Sequence, residues 1–196
     1  MRKLTLLAVI CGLFLFGSLA QAQQADAMVG FGTLLSSGSC DPNSFTCPER
    51  GGLYPSVSAD VIFHKRIGFN FETTWRGGQG VENGQPYRPI ILDFNGMYQP
   101  KLGKKVGLDL MAGVGWQSTR YYGLVNSASC LDFGACFVSS HHFLVDAGAG
   151  IRYYVRGHLF VRPEVHYYNI LNNTDDFTNG NIFRVGASIG YTIGPD

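Results

Sequence analysis

Residues 183–193 read Phe-Arg-Val-Gly-Ala-Ser-Ile-Gly-Tyr-Thr-Ile, apolar at every second position and small or polar between. Period-two alternation sorts side chains onto the two faces of an extended strand and onto no face of a helix. The pattern recurs down the chain. In 67–76, Ile67, Phe69, Phe71, Thr73 and Trp75 alternate with Gly68, Asn70, Glu72, Thr74 and Arg76. Segments 106–117 and 143–155 repeat it, and 27–35, 55–63, 90–98 and 159–167 are weaker copies. Eight strands of about ten residues are predicted, the length that crosses a bilayer when tilted. After residue 22 no stretch approaches the ~18 apolar residues of a transmembrane helix.

The connections alternate too. Segments 64–66, 100–104 and 156–157 are short; 36–52, 77–88, 118–142 and 169–180 are long. Short turns at one end and long loops at the other fit an all-β, eight-stranded antiparallel up-and-down transmembrane β-barrel, with short periplasmic turns and long extracellular loops. An even strand number then places both termini in the periplasm.

A soluble β-sandwich also alternates, so the character of each face decides. The chain holds 26 Gly in 196 residues, and only 15% of residues are charged. Many of these glycines (Gly68, Gly107, Gly113, Gly115, Gly148, Gly150, Gly186, Gly190) fall on the polar faces. Small residues there suit a narrow lumen more than a water-facing surface. On the apolar faces, aromatics gather near the strand ends. Trp75, Trp116, Phe143, Tyr167 and Phe183 lie at the loop end, and Phe63, Phe69, Tyr98, Tyr153 and Tyr191 lie toward the turn end. Two such girdles match two membrane interfaces. No Asp, Glu, Lys or Arg falls on a predicted apolar face.

The inward face carries Asp60, Glu72, Asp93, Asp109, Asp146 and Glu164 with Arg76, Arg152, Arg162 and Arg184. Enclosed charges must pair or stay hydrated. Glu72, Asp146, Arg152, Arg162, Glu164 and Arg184 are predicted to form one lumenal network that plugs the barrel. Pro163 is placed outward, where its missing N–H removes a ladder bond.

Met1-Arg2-Lys3, an apolar run over 4–19 and Ala20-Gln21-Ala22 read as a cleaved secretory signal peptide over 1–22, leaving a single domain over 23–196. An exported chain meets an oxidising compartment. Of the three pairings open to Cys40, Cys47, Cys130 and Cys136, the local ones, Cys40–Cys47 and Cys130–Cys136, are expected. Neither pair has zinc-site spacing, so no metal is expected. No cofactor motif is complete. A formal net charge of +1 gives no large basic face for nucleic acid. Lys65, Arg66, Lys101, Lys104, Lys105 and Arg156 gather in the short turns, either as solvated charge or as a contact for anionic headgroups or polymers.

The only suggestive catalytic cluster is Ser139-Ser140-His141-His142, with His166 on a neighbouring strand. Adjacent strand residues face opposite ways, so at most one of His141 and His142 can serve any site. No catalytic residue is assigned. The expectation is not an enzyme.

Gly150-Ile151-Arg152-Tyr153-Tyr154, followed by 159–168 (Leu-Phe-Val-Arg-Pro-Glu-Val-His-Tyr-Tyr), resembles the small outer-membrane β-barrel proteins of Gram-negative bacteria, the OmpA-like transmembrane domain and its relatives. Gly186, Ile189 and Tyr191 are similar to that family's last-strand assembly signal, although this chain runs on past the aromatic to Asp196. The resemblance implies outer-membrane residence, contact with outer-membrane lipid and lipopolysaccharide, and recognition of the last strand by the barrel-assembly machinery. It also implies a monomer with a structural or surface-interaction role, including an extracellular ligand at the loops. The alternatives are a narrow pore for ions or small solutes and a lipid A-modifying enzyme.

Overall fold

The computed structural model describes residues 24–43, 46–64, 66–82, 84–122 and 137–194. Their strands are β1 (Gln24–Leu35), β2 (Gly51–His64), β3 (Ile67–Trp75), β4 (Gly80–Glu82), β5 (Gln85–Tyr98), β6 (Val106–Tyr122), β7 (Phe137–Arg156), β8 (Leu159–Ile170) and β9 (Asn181–Ile193). Neighbours in the sheet are antiparallel, β3 pairs with β5, and β9 returns to β1, so eight staves close into a ring. The three-residue β4 stands outside that ring and pairs only with the start of β5. Closure gives every stave a neighbour on both sides, which is how a barrel satisfies its backbone without water.

Alternation sets the two faces throughout. Along β8, Phe160, Arg162, Glu164, His166 and Tyr168 are buried, while Leu159, Pro163 and Val165 are exposed. The outward wall is apolar and bare: Phe31 is 61% exposed and Ile189 56%. A continuous apolar belt of this size cannot rest against water and belongs in hydrocarbon.

Two long connections are shorter than the sequence suggests. Segment 118–142 is not all loop, because β6 runs on to Tyr122 and β7 begins at Phe137. Aromatic and β-branched residues favour strand there, and Tyr122 faces Phe137 with ring centroids 6.2 Å apart. Within 77–88, β4 and β5 form a small hairpin whose turn includes Gly84 at φ 78°. The expected leader, 1–22, and the expected Cys130–Cys136 pair lie outside the described residues. Cys40–Cys47 is present as a disulfide.

Pro163 has a visible consequence. The β7–β8 ladder pairs Gly150 with Glu164 and Tyr153 with Val161 but skips the two positions between. On its other side Pro163 keeps its place opposite Ala187.

The interior is layered. At the turn end Ile62, Met97 and Met111 cluster; at the loop end Leu34, Tyr54, Ile91, Leu144, Tyr168, Ile170 and Ile182 form a larger apolar layer. Charged residues fill the space between.

Candidate functional site

The charged layer is built by inward positions of all eight staves. Arg152 is its lower hub: its guanidinium bonds Asp26, reaches Asp60 at 2.9 Å and Asp109 at 3.0 Å, and lies 4.1 Å from the centre of the Phe160 ring. Arg162 shares Asp60 and Asp109, at 3.2 and 3.3 Å, and donates Nε–H to Glu164 at 2.8 Å. Arg184 links Glu164, at 2.7 Å, to Glu72. His166 stands 3.8 Å from Glu72 and 3.1 Å from Asp146. The six residues expected to share one network, Glu72, Asp146, Arg152, Arg162, Glu164 and Arg184, are thus brought into one chain of contacts. All are at most 5% exposed.

Neutral donors complete it. Asn95 Nδ2 donates to Asp93 and Asp146, both at 2.8 Å, Asn70 Nδ2 donates to Asp60 at 2.7 Å, and the Tyr168 hydroxyl donates to Asp93 at 3.4 Å. Glycine makes the room. A Cβ on Gly150 would stand 2.9 Å from Arg162 Cγ, and one on Gly148 2.9 Å from His166 Nδ1. Both glycines lie beside network side chains from β8, where no methyl group fits.

Arg76, expected on the inward face, lies above this set, at the mouth. Its guanidinium donates to the Tyr87 hydroxyl at 3.3 Å and the Tyr54 hydroxyl at 3.4 Å, and it stacks on both rings. Beside it the first loop inserts Glu49, fully buried, whose carboxylate accepts from the Gln117 amide at 2.5 Å and the Tyr54 hydroxyl at 3.0 Å. Burial pushes the Glu49 carboxyl up to about 7, against the opposing pull of those bonds and of Arg76. The loops lock over this point. Cys47 N–H donates to Glu82 at 2.6 Å, and the Cys47 carbonyl accepts from Thr178 N–H at 3.2 Å. Phe177 is buried edge-on against Tyr87, 5.4 Å between centroids.

The aromatics expected in two girdles stand on outward positions. At the loop end Trp116, Phe143 and Phe183 are exposed and Trp75 and Tyr167 half-buried; at the turn end Phe63, Phe69, Tyr98, Tyr153 and Tyr191 are exposed. Trp116 lies opposite Phe143 and Tyr167 opposite Phe183 in the sheet.

Two clusters invite chemistry. Ser140 Oγ lies 2.7 Å, and Asp176 Oδ2 2.9 Å, from the same atom, His142 Nε2. One nitrogen cannot accept the serine proton while donating its own to the carboxylate, so this contact set lacks the two-sided imidazole of a nucleophile relay. His141 faces the opposite side, exposed. The second cluster, Glu72, Glu164 and His166, has ligand-type atoms within 4.8 Å of one another. The Arg184 guanidinium already contacts both glutamates, so a metal ion would have to displace it.

Sequence reasoning missed Asp26, His166 as a lumenal partner, and Glu49. Asp26 lies one residue before the predicted 27–35 strand, and extending the alternation by one residue finds it. His166 keeps the inward parity of Arg162 and Glu164. Glu49 sits in a loop, where no periodicity marks it.

No protein-family model matches the sequence, and no curated protein matches it. Solved structures do match in fold. Neisserial surface protein A aligns over 86% of this chain and 95% of its own, with 14% identity and a TM-score of 0.60. Ail, the attachment invasion locus protein of Yersinia pestis, solved with the heparin analogue sucrose octasulfate, aligns over 87% and 98%, with 10% identity and 0.57. The N-terminal β-barrel domain of Pseudomonas aeruginosa OprF aligns over 88% and 100%, with 12% identity and 0.52. The chain has the eight-stranded barrel fold of these outer-membrane proteins.

Proposed function

We propose that this protein is an integral outer-membrane barrel whose closed lumen makes it a scaffold for its loops, with a structural or surface-interaction role. The observation that carries this reading is the lumen itself. Arg152, Arg162 and Arg184 are buried among carboxylates across the bore, beneath an apolar layer from Leu34 to Ile182 and a mouth stoppered by Glu49. Side chains fixed to one another by ion pairs fill a bore of eight staves and leave no continuous open path. In planar bilayers the purified barrel gives negligible conductance; large, stable channels overturn the reading.

The apolar wall and the two aromatic levels support contact with outer-membrane lipid and lipopolysaccharide, with the loops outside and both termini in the periplasm. The last strand, carrying Gly186, Ile189 and Tyr191, is the segment the assembly machinery would read. With every stave paired around the ring, the barrel needs no second copy and works as a monomer. Ail shares this fold and carries a heparin analogue in its crystal structure. On this chain the interlocked loops are the surface placed for an extracellular ligand. We assign no enzymatic activity. Replacing Ser139, Ser140, His141 and His142 with Ala leaves lipid A acylation unchanged; a change in lipid A composition overturns that assignment.

A further inference from the structure

The turns at the other end of the barrel build a concave site that the scaffold role does not use. A cavity of about 540 Å³ opens between the β5–β6 turn, the β7–β8 turn and the ends of β1 and β9. Its rim carries Lys101, Lys104, Lys105, Arg156 and His158. Among the described residues no carboxylate lines it. Arg152 closes the floor, already committed to Asp26, Asp60 and Asp109.

The site is held open by backbone. Tyr154 N–H donates to the Lys105 carbonyl at 2.9 Å, Thr192 N–H to the His158 carbonyl at 3.0 Å, and Leu108 N–H to the Pro100 carbonyl at 3.0 Å. These bonds tie both turns to the strand ends before any ligand arrives. An independent feature points inward. Gln99 lines the cavity and is 6% exposed; its Oε1 accepts from Gln24 at 3.3 Å, but its buried Nε2 finds no acceptor among the described residues. A buried amide donor without an acceptor is costly unless a ligand oxygen meets it. Gly107 adds space: a Cβ there would touch only Arg152 Cβ, at 3.7 Å, and the Pro100 carbonyl, at 3.9 Å.

We infer that this cup binds a phosphate group. Clustered ammonium and guanidinium charges, one neutral N–H donor and no competing carboxylate suit an anion with several acceptor oxygens. The volume is that of a small-ligand site, in the usual range of about 300–1,000 Å³. The cup also lies near Tyr153 and Tyr191 of the turn-end girdle, the depth of lipid headgroups. Two sources present the same chemistry, an anionic phospholipid headgroup and a free phosphate.

The test uses the full chain refolded in a maltoside detergent, which carries no phosphate. Isothermal titration with inorganic phosphate and glycerol phosphate reads the free source. Retention of phosphatidylglycerol against phosphatidylcholine in nanodiscs reads the lipid source. Only the lipid arm depends on the membrane role proposed above, so a failure there alone counts against that role and not against the phosphate cup. Two variants are compared with wild type, each checked for heat-modifiable gel mobility. Lys101→Gln/Lys104→Gln/Lys105→Gln removes exposed charge and weakens binding at least ~10-fold, as does raising salt over a decade. Gly107→Leu fills the cup with every charge retained and abolishes binding. Binding in either arm with both losses supports the inference. No binding in either arm, or binding that Gly107→Leu leaves intact, overturns it.

Discussion

The carboxylates around the lumenal arginines and the one in the loop crown are all buried, and they are held by different means. In the lumen Asp60 lies between two guanidinium groups, Arg152 at 2.9 Å and Arg162 at 3.2 Å. At the mouth the donors to Glu49 among the described residues are neutral, the Tyr54 hydroxyl and the Gln117 amide. A carboxylate between two permanent cations keeps an oppositely charged partner for as long as it is ionised. One beside neutral donors changes with its own protonation. The first arrangement suits a plug that never opens, and the second suits a loop whose docking depends on conditions.

The largest break in this comparison comes from the lumen. Arg152→Met leaves Asp26 buried without a cation and halves the positive charge around Asp60 and Asp109. Removing one partner of a buried ion pair costs about 3–5 kcal/mol. The urea unfolding midpoint of the barrel in lipid vesicles should fall accordingly, and a loss below about 1 kcal/mol would mean that water already reaches this hub.

The crown should instead respond to pH. Below about pH 4.5 Glu49 is protonated whether docked or released. Between 4.5 and about 7 the released carboxyl is ionised while the docked one keeps its proton, so docking weakens as pH rises. Above about 7 both are ionised and the penalty is constant. The full swing is about 3 kcal/mol at ~1.4 kcal/mol per unit. Protease cleavage within 36–50 should rise over that window in the wild type and stay flat in Glu49→Gln. A wild-type profile as flat as the variant's would show that Glu49 is not enclosed in solution.

Reduction of Cys40–Cys47 sharpens the same contrast at lower cost. The disulfide spans a sequence separation of 7, a loop whose release is worth about 2.4 kcal/mol in the chain-entropy treatment. Cleavage of 36–50 should accelerate under reductant while the gel mobility of the folded barrel is unchanged. Loss of the fast-migrating form would tie the crown to barrel integrity.

The split between lumen and crown is also the split in what the sequence reveals. Period two dictates that Arg152, Arg162, Glu164 and Arg184 point inward, and the closed ring leaves them only one another to meet. The barrel, its strand number and its network are therefore written in alternation. The extensions of β6 to Tyr122 and of β7 from Phe137 escaped because alternation is weak in Ser118 to Tyr122, where strand pairing across the hairpin decides. Glu49 escaped for a deeper reason. Besides the nearby Tyr54 hydroxyl its burial depends on Gln117, 68 residues away, and no local pattern encodes a contact of that separation. The turn-end cup was half legible. Its lysines are visible as a charge cluster, whereas the unpaired Gln99 donor is a property of the assembled end.

The smallest predicted effect tests the most irregular point of the wall. The pairs that flank Pro163 in the β7–β8 ladder place Ile151 opposite Pro163 and Arg152 opposite Arg162, and neither of these two positions is paired. Pro163→Ala restores an N–H where a ladder bond is missing, a gain of about 1 kcal/mol. It also frees the unfolded chain, a loss of about 0.4–1 kcal/mol. The two nearly cancel, so the urea midpoint should move by less than about 0.5 kcal/mol in either direction. A clear stabilisation would mean the gap is simply a defect that the sheet tolerates. A clear destabilisation carries the more interesting reading: two like-charged arginines enter the lumen side by side here, and a loosened ladder lets each backbone turn far enough for both guanidinium groups to share Asp60 and Asp109. In that case the wall is irregular because the plug requires it.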